Sequence, residues 1–130
     1  MSHNLALVLW GLVLFEIKHY LCDFVLQTAY QYRNKGIYGH PGGILHAGLH
    51  MMGSLPAVLI LTKTAWLATA LLASEFVLHY HIDWSKEQIN KRCKLVVDKT
   101  LYWIVFGADQ FLHQMTYVVF LAVLAHAANL

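Results

Sequence analysis

Charge is what this chain has least of. Lys, Arg, Asp and Glu make up 12% of its 130 residues, and the formal net charge is +2. A balance that small, with no run of cations interleaved with aromatics, excludes the electrostatic footprint of a nucleic-acid binder. Cysteine is scarce too: Cys22 and Cys93 have no metal-type spacing and cannot form a disulfide framework. The only prolines are Pro41 and Pro56, so a kink is expected at Pro56 and few other breaks in long helices. No repeat or low-complexity tract is visible, and one domain is expected over 1–130. The amino end lacks a basic region ahead of its apolar run, so it is expected to remain as a spanning helix rather than to be cleaved.

Apolar sequence fills the space that charge leaves, with 58% hydrophobic residues and a mean hydropathy of +0.51. A hydrocarbon core about 30 Å thick takes roughly 20 mostly apolar residues per helix. Four segments meet that length, at about 4–32, 43–61, 64–84 and 100–127. The expected fold class is all-α: an integral membrane bundle of four transmembrane helices, with a short interfacial segment at 85–99 between the third and fourth. Lys and Arg fall unevenly at the ends of these spans. Arg33, Lys35, Lys86, Lys91, Arg92, Lys94 and Lys99 lie on one side and Lys63 on the other. The positive-inside rule then puts loops 33–42 and 85–99 in the cytoplasm and both termini outside. Trp84, Tyr102 and Trp103 fit the aromatic belt of a membrane interface.

The few polar residues within the spans are not scattered. Random placement of the sixteen His, Asp and Glu residues gives about two pairs four apart, and a membrane should suppress even these. The chain has six: 19/23, 46/50, 75/79, 79/83, 83/87 and 109/113. Four residues are just over one helical turn, so each pair projects from one face. The run LLASEFVLHYHIDWSK puts Glu75, His79 and Asp83 on a single stripe. Segments one and three run inward while two and four run outward. His19 and Asp23, His46 and His50, Glu75 to Asp83, and Asp109 and His113 therefore converge on the cytoplasmic half.

Neutral imidazole and carboxylate are ligands for Zn²⁺, Mn²⁺ and Fe²⁺, and helical bundles build such sites from facing helices. His19, Asp23, His46, His50, Glu75, His79, Asp83, Asp109 and His113 are too many for one tetrahedral ion. Two or three ions are expected, zinc first, with manganese or iron as alternatives. Glu75 is a candidate ligand or general base. Gln27 and Gln110 could orient ligands from behind. Lys86, three residues after Asp83, is a candidate contact for an anionic substrate, or else snorkels beside an acidic site. Glu16 could back a ligand or pair with Lys18, and His3, His40, His81 and His126 are read as surface or interfacial. Without any metal, the same residues could join helices by hydrogen bonds or relay protons.

The motifs His19-x-x-x-Asp23-Phe24-x-x-Gln27, His46-x-x-x-His50, His79-x-x-x-Asp83-x-x-Lys86 and Asp109-Gln110-x-x-His113 together resemble the small bacterial and phage membrane proteins grouped as domain of unknown function 3307. The likeness covers nearly the whole chain, does not extend to Glu75, and implies a bacterial inner membrane. A looser similarity, in motif style only, is to membrane-bound metal-dependent hydrolases. Through them it reaches zinc phospholipase C and P1-type nucleases, whose comparable pairs hold three zinc ions.

The expected function is that of a membrane metal-dependent hydrolase. Metal-activated water would attack a phosphoester, with an inner-leaflet lipid or a phosphorylated small molecule as substrate. One alternative is a non-haem di-iron lipid oxidase or desaturase, suited to His46 and His50 but lacking paired H-x-x-H-H boxes. Another is a metal or proton conduit or a phage accessory protein; a conduit should carry polar residues through the outer half, which is nearly free of them.

Overall fold

The structure, a computed structural model, describes residues 3–127. All regular elements among them are helical: α1 (His3–Tyr20), a π-turn (Leu21–Val25), α2 (Ala29–Asn34), α3 (Pro41–Leu61), α4 (Ala65–Arg92) and α5 (Thr100–Ala127). The all-α class is as expected. α3 packs against α1 and α4, and α5 completes the bundle against α1 and α4.

Local chemistry sets the boundaries. The first segment does not run unbroken to Tyr32 as expected. Its last regular turn widens into the π-turn, where the Leu26 N–H donates to the Leu21 carbonyl at 2.8 Å. A new helix then starts at Thr28, whose hydroxyl accepts from the Gln31 N–H while the Gln31 side chain accepts from the Thr28 N–H at 2.7 Å. This reciprocal capping box restarts the helix without proline or glycine. Gly39, with φ +76°, takes the left-handed turn that brings the chain to His40, and the His40 ring caps α3 by accepting from the Gly42 N–H. Pro41 occupies the first helical position, where its missing N–H costs nothing, and α3 continues through Pro56 to Leu61.

The second difference lies after the third segment. The polar stretch from Lys86 was expected to leave the bundle as an interfacial segment, yet α4 continues to Arg92. Twenty-eight residues make it about 42 Å long, some 12 Å more than a hydrocarbon core. It ends where the Leu95 N–H reaches the Asn90 carbonyl and the Lys94 N–H the Lys91 carbonyl, a Schellman closure with Lys94 in the left-handed conformation. Only 93–99 forms the connection.

The interior divides into two halves. Near the 62–64 corner lies an apolar core that includes Phe15, Val58, Leu61, Leu71, Leu121 and Leu124. Gly11 belongs there because a Cβ would stand 2.6 Å from Leu61 Cδ1. Toward the other end, Lys18, His46, His50, Glu75, His79 and Asp83 are buried. Much of the outside of the helices is apolar, with Trp10, Met52, Trp66, Ile104, Phe111 and Val119 exposed, while exposed cations such as Arg33, Lys63, Lys91 and Arg92 lie toward the ends. That inverts the distribution of a soluble domain. Two stretches, His3–Val25 and Pro41–Leu61, are long and apolar enough to cross a membrane. Only 28% and 39% of their apolar windows are buried, unlike the central helix of a soluble core.

Candidate metal centre

Each candidate ligand pair sits where its helix passes the polar half. His19 ends α1 and Asp23 sits in the π-turn; π-turns recur at functional sites because the wider turn re-aims side chains. α3 supplies His46 and His50 from its first turns, α4 supplies His79 and Asp83, and α5 supplies Asp109 and His113. His46 and His50 are fully buried, and His79, Asp83 and His113 are 3% exposed or less, so these groups are core rather than surface.

The side chains form two groups that could each hold an ion. In the first, one atom each of Asp23, His46, His50 and His79 lies within 4.8 Å of the others; in the second, the same holds for His79, Asp83 and His113. Asp23 Oδ1 is 3.0 Å from His46 Nε2 and 3.1 Å from His50 Nε2, and His46 and His79 Nε2 are 3.2 Å apart. Ligands bonded at about 2.0–2.1 Å stand roughly 3.0–3.4 Å apart around one ion, octahedral or tetrahedral. Three of the first group's six edges, Asp23–His46, Asp23–His50 and His46–His79, therefore have the lengths found in a coordination shell.

Hydrogen bonding alone does not account for the arrangement. His46 Nε2 has Asp23 Oδ1 and Gln27 Nε2 at 3.0 Å and Asp83 Oδ2 and His79 Nε2 at 3.2 Å. A ring nitrogen carries one proton or one lone pair and cannot serve four such neighbours. Asp109 Oδ1, His79 Nδ1 and His113 Nε2 are buried with no hydrogen-bond partner. Such atoms are rare in folded proteins, and a cation shared among their lone pairs would satisfy several at once. The His79 ring stacks between those of His50 and His113, with centroids 3.7 and 4.1 Å away, so imidazoles from three helices are layered along one line.

Three lysines pair with three of the four acids. Lys35 Nζ is 2.9 Å from Asp83 Oδ1, Lys86 Nζ is 3.8 Å from Asp109 Oδ2, and Lys18 is buried against Glu75. Burial opposes the charge on Lys35, but the Asp83 carboxylate outweighs it and raises the Lys35 pKa above the ordinary lysine value. Asp23 has no lysine among its close partners and faces His19, His46 and His50 instead.

Six of the nine predicted ligands thus fall into the two groups. His19 stands just outside, 3.2 Å from Asp23 Oδ2, with Tyr117 Oη at 3.1 Å on Nδ1 and Gln110 Oε1 at 3.0 Å on Nε2. Asp109 flanks the second group, 3.6 Å from His113 Nε2. Glu75, expected as a ligand or general base, lies outside both groups: its Oε1 meets the Lys18 ammonium, and its Oε2 is buried with no hydrogen-bond partner. Lys18 also stands 3.4 Å from His50 Nδ1, the outer limit of a hydrogen bond. Gln27 and Gln110 both touch candidate ligands: Gln27 Nε2 is 3.0 Å from His46 Nε2, and Gln110 Nε2 reaches Asp109 Oδ2 at 3.2 Å and Asp23 Oδ2 at 3.4 Å. Lys18, Lys35 and Tyr117 are the members not singled out by sequence. The only signal for Lys18 was an ammonium inside an apolar span, which needs a partner.

The site is closed on the side of the apolar core and open at the other end. There a cleft of about 620 Å³ has Asp23 and Asp109 in its wall together with Arg33, Lys35, Lys86 and Lys91. Glu87 lines it as well, so four cations stand against three carboxylates there, and the candidate ligands that reach its wall are Asp23 and Asp109.

No curated protein and no solved structure matches the chain. None of the comparisons bears on the looser likeness to metal-dependent hydrolases. The family model described as "Protein of unknown function (DUF3307)" matches residues 12–130, a stretch that contains all four ligand motifs, and the chain therefore belongs to that family.

Proposed function

We propose that the protein is a membrane-embedded, metal-dependent phosphoester hydrolase with four spans. The observation that carries this reading is the convergence of Asp23, His46, His50 and His79 within 4.8 Å, beside a cleft rimmed by cations. α4 and α5 join His3–Val25 and Pro41–Leu61 as spans because Glu75, His79, Asp83, Asp109 and His113 turn inward while Val77, Leu78, Ile104, Phe111 and Val119 turn outward. The excess of Lys and Arg around 33–42 and 85–99 puts the cleft on the cytoplasmic side of a bacterial inner membrane.

In this reading Asp23, His46, His50 and His79 would hold one divalent ion, and Asp83 and His113, with His79, would hold another. Zinc suits the imidazole-rich set best. A metal ion there supplies Lewis acidity toward a phosphoryl oxygen and activates water near neutral pH. The chain's own groups do the rest. Lys86 and Arg33 neutralise and hold the substrate anion at the mouth. Asp109, with Oδ1 unpartnered beside Lys86, is the carboxylate placed to accept a proton from incoming water. Gln110 fixes Asp23, Asp109 and His19 in register, and Lys35 holds one oxygen of Asp83 so that the other turns to the histidines. A conduit is disfavoured because Phe15, Val58, Leu61, Leu71, Leu121 and Leu124 plug the other half.

The test is turnover of p-nitrophenyl phosphate and bis-p-nitrophenyl phosphate by protein in nanodiscs, with zinc, manganese or iron added. Hydrolysis that needs a divalent ion and disappears in Asp23→Asn supports the proposal. Wild-type protein that binds the ions and hydrolyses neither ester contradicts it.

A further inference from the structure

The cationic cleft does not end at the bundle's polar mouth. Lys86 and Asp109, which line it, also line a second cavity of about 300 Å³ between α4 and α5. Beyond those two residues, His81 and Ser85, that cavity is walled by apolar side chains such as Ile82, Ile89, Val105 and Leu112. A third cavity of about 340 Å³ shares Leu78, Ile82 and Leu112 with it and continues past Met115 to Phe120. The three make one path, charged at the cytoplasmic end and apolar along the outward face of α4 and α5. From Val105 to Phe120 the groove follows α5 for about 22 Å, more than the roughly 15 Å of hydrocarbon in one leaflet. Its depth near the cleft comes from small residues, Ser85 on α4 and Ala108 on α5.

We propose that cleft and groove are one binding site for an anionic, phosphoryl-bearing amphiphile, with its head among Arg33, Lys86 and Lys91 and one acyl chain between α4 and α5. The four cations of the cleft wall, set against Asp23, Glu87 and Asp109, leave a small positive excess that favours an anionic head, and the groove's junction with the cleft at Lys86 and Asp109 lets head and chain belong to one molecule. The proposal rests on the hydrolase reading only for the fate of the ligand; binding itself requires no metal. It predicts that a lipid phosphomonoester enters sideways from the leaflet, keeping its chain in an apolar phase while its phosphate enters the cleft beside Arg33, Lys86 and Lys91.

The experiment uses the full chain in phosphatidylcholine nanodiscs with a phosphatidic acid carrying a diazirine in one acyl chain. Cross-links are mapped by peptide mass spectrometry. Labelling should concentrate on 78–89 and 105–120 and fall several-fold in Ala108→Phe and in Ser85→Phe, each of which fills the groove. Both positions are exposed, so neither change disturbs the core. Gly107→Phe, beside the groove in open space, should leave labelling as in wild type. Unlabelled phosphatidic acid should compete, whereas inorganic phosphate and glycerol phosphate should not. Labelling spread equally over the outward faces of α1 and α3, labelling unchanged in both groove variants, or displacement by inorganic phosphate alone would each overturn the inference. Labelling that persists in His79→Ala supports it even if that variant and wild type alike bind no metal, a result that would end the hydrolase reading on its own.

Discussion

Phe15 and Lys18 lie about one turn apart on α1 and are both buried, yet they belong to regions built on opposite rules. Phe15 stacks on Tyr117 with ring centroids 5.1 Å apart and planes 4° from parallel, in a core of aliphatic side chains. Lys18 lies over the other side of the same tyrosine's surroundings, 4.4 Å from the ring centroid, and turns to Glu75. Tyr117 is the seam: its ring serves the apolar half and its hydroxyl meets His19 Nδ1. In the apolar half, packing alone holds the helices, and every side chain is content without a partner of particular chemistry. In the polar half, buried carboxylates and imidazoles are costly unless paired, and the lysines account for only part of them. The difference teaches that the helices are joined by packing at one end and by buried polar pairs such as Lys18–Glu75 and Lys35–Asp83 at the other.

Breaking the polar half should have the largest effect. His79→Ala removes the ligand common to both groups, so bound metal should be lost. Hydrolysis should fall by about a thousandfold, the equivalent of several kcal/mol of Lewis-acid stabilisation. Metal analysis and ester turnover on the same sample check this. Lys35→Met leaves Asp83 without its fixed partner and should raise the metal Kd by about 10–100-fold, as loss of an outer-sphere partner does. Titration against a competing chelator measures it. The sign of its pH dependence follows from the raised Lys35 pKa: the ion pair contributes fully below the ordinary lysine value and is lost as pH rises through the higher folded one. The Lys35 contribution to wild-type metal retention should therefore stay level through neutral pH and weaken in strong alkali, whereas retention as a whole falls in acid because His and Asp must be deprotonated to bind an ion.

Milder changes sharpen the contrast between the halves. Lys86→Ala, at the mouth, should raise KM about tenfold with less change in kcat, because one ionic contact to a substrate anion is worth roughly 1–2 kcal/mol. Steady-state kinetics separate the two constants. Phe15→Ala should lower the melting temperature by several degrees through the lost stack and cavity, while metal content stays at the wild-type level. A coupled loss of metal in that variant would mean that the halves are not independent.

Much of this architecture was legible in the sequence for a physical reason. In an apolar span each ionisable residue needs a justification, so the four-apart pairs at 19/23, 46/50, 79/83 and 109/113 stood out, and alternating helix direction put them at one depth. Pairing across the chain was not legible. Lys35 looked like a loop cation because nothing local shows that the turn through Gly39 folds it back onto Asp83, 48 residues away. Glu75 shared the stripe of His79 and Asp83, and spacing could not reveal that Lys18 faces it. The break after Val25 had a signal, Thr28 with Gln31 three residues on, which the hydrophobic continuity of the segment hid. The extension of α4 to Arg92 was hidden by polarity, since Lys, Glu and Gln favour a helix as well as they suit an interface.

The central claim is that the polar half exists to hold metal, and elemental analysis of freshly purified protein tests it most directly. The account predicts two or more equivalents of a divalent ion, zinc foremost, per wild-type chain, and none in His79→Ala purified in parallel. Wild-type protein that is folded, free of bound metal and unable to take up zinc, manganese or iron on addition would contradict it.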